Sequence, residues 1–314
     1  MKFKICIIGR GSIGSRHGNI LKTNFACDVV YARRSPELVN EIPFKISILK
    51  KFNFDYFIIC NPTSLHYETL RKLLNFKKPI LVEKPLFFST NKIDKFFIKK
   101  NSKYIFTAYM MRYEIGINFL LNYVKTKKPN LAYFKWLTYM PSWHTNEDYK
   151  RSYASSKKLG GGVISTCSHE IDMAIYLFNE VESVNSINLN KNLKKINVEE
   201  KNISMLKHKN GIVSKVYIDF SSKFLERKII LYYNDFQLIW DFLNLKIIKI
   251  ENKKKKLILK YKQKVDDLYK KQMLDFINNS STSNRTSYFN TIKTQILINK
   301  IYSSSKKKII FFLK

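Results

Sequence analysis

Short apolar runs alternate with helix-like segments over the first third of the chain. The apolar runs predict buried strands over residues 3–8, 28–31, 56–60, 80–82 and 104–108. Apolar residues at helical spacing predict helices between them, over 13–21, 65–76 and 93–98. Strands that alternate with helices pair in parallel through right-handed crossovers. The pattern therefore predicts an α/β domain over residues 1–112, built on a doubly wound parallel sheet.

The pattern changes after about residue 110. An aromatic-rich strand over 131–139 leads into a polar loop over 141–158, and a glycine triplet then opens a helical segment that runs to residue 178. Runs joined by short turns predict antiparallel strands over 184–189, 203–207, 212–220, 228–233, 236–242 and 245–250. Helical patterns at 265–277 and 288–302 close the chain. The sequence predicts an α+β domain over 113–314 with a large, mostly antiparallel open sheet, whose last helix can pack back on the first domain.

Composition is that of an ordered protein. Hydrophobic residues make up 45% of the 314 residues, with only 9 glycines and 7 prolines, which excludes a linker-rich chain. The four cysteines lie far apart and form no zinc-binding spacing, so we expect no metal site. The first apolar run is too short for a signal peptide, and no uncharged run reaches the roughly 18 residues that cross a bilayer. We therefore expect a cytoplasmic protein without a membrane partner.

The chain is strongly basic. Lysine and arginine number 57 against 24 acidic residues, which gives a net charge of +33. Such a field attracts anions, among them nucleic acids and phosphorylated metabolites. The lysines are spread along the whole chain, with short clusters only at 253–256 and 306–308, which favours solvated faces over a specific nucleic-acid surface. A basic nucleic-acid binder is the weaker alternative.

A glycine motif follows the first strand and opens the first helix. It reads Gly9-Arg10-Gly11-Ser12-Ile13-Gly14. In a dinucleotide site the first glycine allows a tight turn, the second lets the backbone approach a pyrophosphate, and the third lets the helix pack on the strand. The N–H groups at the helix start then face the phosphates. We predict that a dinucleotide cofactor contacts Gly9, Gly11, Ser12, Ile13 and Gly14.

Two arginines stand at the end of the second strand. A NAD site usually carries an acidic residue there, which bonds the ribose hydroxyls. Here the positions hold Arg33 and Arg34, and guanidinium groups suit a 2′-phosphate. We predict NADP(H) as the preferred cofactor, with NAD(H) possible. The alternative is that both arginines only face solvent in a basic chain.

The tripeptide Glu83-Lys84-Pro85 follows the buried strand at 80–82. A lysine at this end of a parallel strand reaches the crevice where such sheets bind ligands, and its charge can stabilise a developing alkoxide. A histidine, His169, follows the glycine triplet at 160–162, and an imidazole titrates near neutrality and can move a proton in either direction. We predict Lys84 and His169 as catalytic residues. The alternatives are that Lys84 is an ordinary surface lysine and that His169 has only a structural role.

These motifs together resemble the Gfo/Idh/MocA oxidoreductases, named for glucose–fructose oxidoreductase and inositol dehydrogenase. The similarity covers nearly the whole chain. The stretch from 148 to 172 looks most like members linked to bacterial surface-sugar biosynthesis. The motifs that carry the resemblance are the glycine turn, Asn61-Pro62-Thr63 with His66, Glu83-Lys84-Pro85, and the glycine triplet followed by Ser168-His169-Glu170-Ile171-Asp172.

The resemblance implies a Rossmann domain and a second domain whose open sheet forms a homodimer or homotetramer. It implies that Lys84 hydrogen-bonds the reacting hydroxyl or carbonyl and that His169 is the general acid/base. It also implies cofactor contacts. These come from Lys84, from Arg112 near the domain junction, from His66 near the nucleotide, and from a nicotinamide ribose lined by Asn61, Pro62, Thr63 and Glu83.

One position departs from many relatives, which carry an aspartate four residues before the histidine. Here that residue is Ser165, which can hydrogen-bond a sugar but supplies no negative charge. This puts inositol as the substrate in doubt. Asp172 lies three residues after His169 on the same helical face, where it can orient the imidazole or bond a sugar hydroxyl. Four loop residues are candidates for the substrate pocket, and they are Trp143, His144, Arg151 and Tyr153. The alternative is that these side chains only pack against their neighbours.

The sequence thus predicts an NAD(P)-dependent dehydrogenase or reductase. We expect it to act on a CH–OH group of a small sugar or nucleotide-sugar derivative, with surface polysaccharide biosynthesis as one setting. A reductase of a non-sugar substrate is one alternative. A non-catalytic sensor or scaffold that only binds NAD(P) is another, and Ser165 is the residue that favours it.

Overall fold

A computed structural model describes residues 2–88, 93–143, 148–189, 193, 196–307 and 311–312. They form two compact units, Met1–Met110 with Lys264–Ile292, and Met111–Gln263 with Lys293–Lys314. The predicted domain boundary at residue 112 stays a prediction. The segment Lys264–Ile292, which the sequence pattern places in the second domain, lies in the first unit.

The first unit is built on a six-stranded sheet in the order β3-β2-β1-β4-β5-β6. All its neighbouring strands are parallel, which confirms the predicted doubly wound sheet. Ile80, Leu81 and Val82 are fully buried, as a strand covered on both faces requires. The elements are β1 (Phe3–Ile8), α1 (Ser12–Asn24), β2 (Cys27–Arg33), β3 (Glu41–Pro43), α2 (Ile46–Leu49), β4 (Tyr56–Ile59), α3 (His66–Leu73), β5 (Ile80–Val82), α4 (Lys95–Lys100) and β6 (Ile105–Thr107).

The rest of the chain lies mostly in the second unit. Its elements are α5 (Ile115–Thr126), β7 (Leu131–Tyr139), α6 (Val163–Thr166), α7 (Ser168–Phe178), β8 (Val181–Asn188), β9 (Lys201–His208), β10 (Val213–Asp219), β11 (Ser221–Tyr232), β12 (Phe236–Asp241), β13 (Lys246–Glu251), β14 (Lys254–Lys260), α8 (Val265–Asn278), α9 (Tyr288–Lys307) and β15 (Phe311–Phe312). The helix α8 belongs to the first unit, and α9 runs from the first unit into the second.

The second sheet has the order β14-β13-β12-β11-β7-β10-β9-β8-β15. Its pairs are antiparallel except for β7 with β10, which confirms the mostly antiparallel prediction. Along β9, buried Ser204 and Leu206 alternate with outward-facing Ile203 and Met205. One face of the sheet therefore packs on α6 and α7, and the other face stays partly open.

Several elements differ from the sequence pattern. The helical segment after the glycine triplet breaks at Cys167 into α6 and α7. The helix α5 was not predicted because Gly116 and two asparagines weaken its pattern. The strand β14 was not predicted either, because its lysines indicate a solvated face. These lysines are exposed in the structure, and β14 is an edge strand of its sheet. Charge on an edge strand discourages pairing with a further strand. Among the described helices, none is long and apolar enough to cross a membrane.

The helix α8 joins the first unit through its apolar side. Met273 and Phe276 are fully buried beside Ile5, Ile7 and other core residues of the parallel sheet. Leu274, on the same helix, is 49% exposed. The amphipathic pattern of α8 thus covers one face of the first sheet.

We predict that Phe276→Ala destabilises the protein by about 3–5 kcal/mol, because it empties a buried ring site in this core. Urea unfolding of the purified protein measures the change. The matched variant Leu274→Ala removes an exposed side chain and should change the free energy of unfolding by less than about 0.5 kcal/mol. Equal effects of the two variants would contradict the placement of α8.

Candidate functional site

The glycine turn after β1 has the conformation that its residues predict. Gly9 has φ +97°, and a Cβ there would lie 3.0 Å from the Asn61 nitrogen. A Cβ on Gly14 would overlap the Gly9 carbonyl oxygen, whereas nothing lies within 4 Å of the Cβ position of Gly11. Gly9 and Gly14 are therefore required by close packing, and Gly11 leaves an open approach.

The start of α1 fits an anionic group. Its N-cap residue, Gly11, provides no side-chain cap, and the first turn carries no acidic residue. The first N–H groups of a helix lack partners within the helix, and the helix dipole favours negative charge there. A pyrophosphate held at Ser12, Ile13 and Gly14 would supply the acceptors.

A buried carboxylate, Glu41, lies beside the end of β2. It accepts hydrogen bonds from Arg10 at 2.9 Å, from Arg33 at 3.1 and 3.2 Å, and from the Glu37 amide at 2.8 Å. Burial alone would raise the pKa of Glu41, but these hydrogen bonds outweigh it and lower the pKa to about 2. Arg33 is therefore fixed by an ion pair, while Arg34 is exposed. Sequence reasoning missed Glu41, because the three-residue strand β3 that carries it has no visible pattern.

The loop after β5 is organised by the carboxylate of Glu83. Its Oε1 lies 2.7 Å from Nε2 of His17, and its Oε2 accepts the backbone N–H of Lys84 at 3.1 Å. Burial would raise the pKa of Glu83, but the His17 hydrogen bond and the Lys84 charge lower it. Glu83 was predicted to line the nicotinamide ribose; the structure gives both of its oxygens partners within the first unit.

His66 braces two loops at the same end of the sheet. Its ring nitrogens lie 3.1 Å from the Pro85 carbonyl oxygen and 2.9 Å from that of Asn61. Burial lowers the pKa of His66. The Asn61 amide donates to Thr69 at 2.8 Å, and Asn61 Oδ1 is buried without a hydrogen-bond partner among the described residues. The predicted cofactor contacts of Asn61, Pro62, Thr63 and His66 stay predictions, and His66 has this bracing role besides.

The glycine triplet packs tightly in the second unit. Gly160 and Gly162 have φ values of +88° and +107°. A Cβ on Gly162 would overlap the Glu199 carboxylate, and one on Gly161 would overlap the Tyr153 carbonyl oxygen. The triplet is therefore needed for the turn that starts α6.

Ser165 lies in a buried polar chain. It is 1% exposed, and its Oγ lies 2.9 Å from the hydroxyl oxygen of Tyr302, which donates to Glu199 at 3.0 Å. The Ile164 amide also donates to Glu199. Burial raises the pKa of Glu199. Sequence reasoning missed Glu199 and Tyr302, because they lie 34 and 137 positions away along the chain.

Two predicted site residues, Arg112 and Asp172, bind each other. Arg112 donates through Nε at 2.8 Å and Nη2 at 2.6 Å to the two oxygens of Asp172, and Thr294 donates to Asp172 at 2.7 Å. Arg112 is 2% exposed and Asp172 is fully buried. Both Asp172 oxygens thus accept hydrogen bonds from Arg112, and the expected contacts of Asp172 with His169 or with a sugar hydroxyl stay predictions. Arg112 thus has an ion-pair role, and its expected cofactor contact stays a prediction.

His169 is buried in the first turn of α7. The next residue, Glu170, accepts a hydrogen bond from Arg227 at 2.7 Å, and that guanidinium lies over the Trp136 ring at 4.2 Å. A buried ion pair thus fixes the helix next to His169. Lys84 belongs to the first unit and His169 to the second, so their expected convergence on one ring stays a prediction.

The loop candidates have different surroundings. The Trp143 indole donates to Thr138 at 2.7 Å, and its ring meets the Phe220 ring edge-on, with 5.0 Å between centroids. Arg151 is exposed and Tyr153 is half-buried. His144 lies outside the described residues. Trp143 thus packs against Thr138 and Phe220, and the substrate contacts of all four loop residues stay predictions.

An open cavity of about 460 Å³ lies in the second unit. The predicted substrate residues that the structure describes are not among its lining residues, which are Tyr139, Leu193, Lys201, Asp219, Ser221, Ser222, Lys223 and Phe224. Within the described ranges, no group of three His, Cys, Asp or Glu side chains is arranged to bind a metal ion.

Two family models match the sequence. The model of an oxidoreductase family with an NAD-binding Rossmann fold matches residues 3–104. The model of a GFO/IDH/MocA C-terminal domain matches residues 133–234. A comparison with curated proteins gives no match.

Solved structures share the fold over the whole chain. Levoglucosan dehydrogenase in complex with NADH is 15% identical, with a TM-score of 0.83 and 100% of both chains covered. Myo-inositol dehydrogenase from Corynebacterium glutamicum is 15% identical, with a TM-score of 0.78, 100% of this chain and 99% of that chain. UDP-N-acetylglucosamine 3-dehydrogenase from Acidithiobacillus ferrooxidans is 14% identical, with a TM-score of 0.77, 98% of this chain and 99% of that chain.

At these identities the solved structures support the fold alone, whereas the family models identify the chain from its sequence. The two models match its two halves in the order that the motifs predict. The chain belongs to the Gfo/Idh/MocA family of NAD-binding oxidoreductases.

Proposed function

We propose that this oxidoreductase transfers a hydride between a nicotinamide cofactor and a CH–OH group of a sugar or nucleotide-sugar derivative. The observation that carries the proposal is the position of Lys84. It follows β5 at the carboxyl end of a parallel sheet whose first turn and helix fit a dinucleotide. Structures of similar fold include dehydrogenases named for levoglucosan and for a UDP-linked amino sugar. A role in surface polysaccharide biosynthesis is the finer proposal, and it rests on the resemblance of residues 148–172.

The chain's own residues have distinct roles in this mechanism. The turn at Gly9–Gly14 and the first N–H groups of α1 hold the pyrophosphate. A bound nicotinamide accepts or supplies the hydride. The Lys84 ammonium donates a hydrogen bond to the reacting oxygen and stabilises its negative charge. His169 takes the hydroxyl proton in the oxidation and returns it in the reduction.

We predict that Lys84→Ala lowers kcat by about 100-fold or more, because one charged donor to the reacting oxygen is lost. The assay follows nicotinamide absorbance with NADP or NAD and a panel of sugars and nucleotide sugars. Cofactor affinity, measured by fluorescence, should change much less. The matched variant Lys50→Ala removes an exposed lysine of the same unit and should keep full activity.

The outcome separates the alternatives. A Lys84→Ala enzyme as active as the parent would contradict the role of Lys84. Tight cofactor binding without turnover of any sugar would favour a sensor or scaffold. Turnover of a non-sugar carbonyl alone would favour the reductase alternative.

The preferred cofactor is proposed to be NADP(H). Near the end of β2, the positive charges outnumber the negative ones. The three arginines are Arg10, Arg33 and Arg34, and the two carboxylates are Glu37 and Glu41. The net positive charge suits a 2′-phosphate. Arg33 also binds Glu41, so its removal would disturb the turn, whereas the exposed Arg34 can be removed without breaking that pair.

We predict that Arg34→Ala raises the Kd of NADPH by about 10-fold, because one charge-assisted hydrogen bond to the 2′-phosphate is lost. The Kd of NADH should stay unchanged. Fluorescence titration measures both constants. The matched variant Arg71→Ala, an exposed arginine on α3, should change neither. A parent protein that binds NADH as tightly as NADPH would contradict the NADP proposal.

The protein is also proposed to form a homodimer or homotetramer through the open face of the second sheet. A cross-strand row on this face consists mostly of apolar, partly exposed residues, and it is Met205, Lys215, Tyr133, Ile230, Ile239 and Ile248. A band of this kind favours contact with another protein surface.

We predict that Ile239→Glu, which places a charge in the middle of this row, converts the oligomer into a monomer. Light scattering coupled to gel filtration measures the mass. The matched variant Lys125→Glu changes charge on an exposed position of α5 and should keep the oligomer. A parent protein that is monomeric at micromolar concentration would contradict the proposal.

A further inference from the structure

A buried histidine of α1, His17, lies against the loop that carries Lys84. It stands three residues after Gly14 and is 0% exposed. Its Nε2 lies 2.7 Å from Oε1 of Glu83. The Tyr269 ring of α8 meets the imidazole edge-on, with 5.3 Å between ring centroids. The helix that starts at the glycine turn therefore contacts the end of β5 through one polar pair.

The direction of this hydrogen bond follows from the charge of Glu83. Burial would raise the pKa of Glu83, but the His17 contact and the Lys84 charge lower it, so the group is a carboxylate at neutral pH. A carboxylate only accepts hydrogen bonds. Nε2 of His17 must then carry the proton and donate it.

The same carboxylate fixes the backbone of the candidate catalytic lysine. Oε2 of Glu83 accepts the Lys84 N–H at 3.1 Å, while Oε1 binds His17. The Glu83 amide in turn donates to the Ile59 carbonyl at 2.9 Å, which continues the strand ladder. Without His17, one oxygen of a buried carboxylate would lose its donor, which favours rearrangement of the side chain.

We propose that His17 is a positioning residue for Lys84, acting through Glu83. This inference rests on the proposed dehydrogenase function only for its effect on turnover. Because α1 begins at the turn that is expected to bind the pyrophosphate, the pair also links the cofactor helix to the lysine. A displacement of about 1 Å in a catalytic group costs about 100-fold in rate.

A histidine that only fills the core would behave differently. Its burial and its contact with Tyr269 predict a loss of stability on substitution, without a specific effect on turnover. The hydrogen bond to Glu83 predicts an effect that a side chain with an N–H at the same place can restore. Glutamine is such a side chain, since its amide nitrogen reaches about as far as Nε2 of histidine.

The experiment compares His17→Ala with His17→Gln. The matched control is His208→Ala in the second unit, a histidine that is also 0% exposed and lies 2.8 Å from Ser214 Oγ through Nε2. Three quantities are measured for each protein: kcat and KM, the Kd of NADPH, and hydrogen exchange of the Lys84 amide against the amides of β5. The melting temperature reports global stability.

We expect His17→Ala to lower kcat by about 10–100-fold, with the Kd of NADPH within about 3-fold, and to speed exchange of the Lys84 amide more than that of β5. His17→Gln should recover most of both effects. His208→Ala should lower the melting temperature and keep kcat.

Three results would overturn the proposal. They are an unchanged kcat in His17→Ala, exchange that rises equally at Lys84 and throughout β5, and a glutamine variant no better than alanine. If the parent protein turns over no substrate, the dehydrogenase proposal fails. The exchange and rescue measurements then still decide whether His17 positions Lys84.

Discussion

Parallel pairing of short strands places the candidate cofactor residues along one edge of the first sheet. Ile8 pairs with both Ala32 and Ile59, and Ile59 pairs with Val82. The strands β1, β4 and β5 end at this register, and β2 ends one residue beyond it. The glycine turn, Arg33, Asn61 and Lys84 are therefore neighbours because the backbone ladder stops at one level in all four strands. The carboxyl edge of such a sheet is where open α/β folds bind ligands, so the site follows from strand register before any side chain is considered.

Buried carboxylates then fix the groups around this edge and in the second unit. Glu41 binds Arg33, Glu83 binds His17, Asp172 binds Arg112, and Glu170 binds Arg227. A buried carboxylate is costly unless donors surround it, so each of these groups restricts its partner to one place. The chain has 57 basic and only 24 acidic residues, so basic side chains far outnumber the carboxylates that can pair with them. A basic side chain that binds a buried carboxylate is held in a defined position.

The sequence predicted what local patterns encode. Strands covered on both faces give continuous apolar runs, so β1 and β5 were found within a residue or two. The long aromatic-rich run of β7 was found equally well. The glycine turn was found because its three glycines, Gly9, Gly11 and Gly14, lie within six consecutive residues and form a motif that is visible in the sequence. Contacts across long sequence distances were not found. Asp172 has the spacing to share a face with His169, but Arg112, 60 positions away, binds its carboxylate.

The residue at position 165 shows what such a distant contact does to the chemistry. A carboxylate there would favour the charged form of a nearby imidazole. The structure instead joins the Ser165 hydroxyl to Glu199 through Tyr302, and burial raises the pKa of Glu199. In the proposed mechanism, the Lys84 ammonium is the group that stabilises the negative charge developing on the reacting oxygen. That proposed role depends on where the cation lies, and the Glu83 carboxylate, which accepts the Lys84 N–H, holds the backbone that carries it.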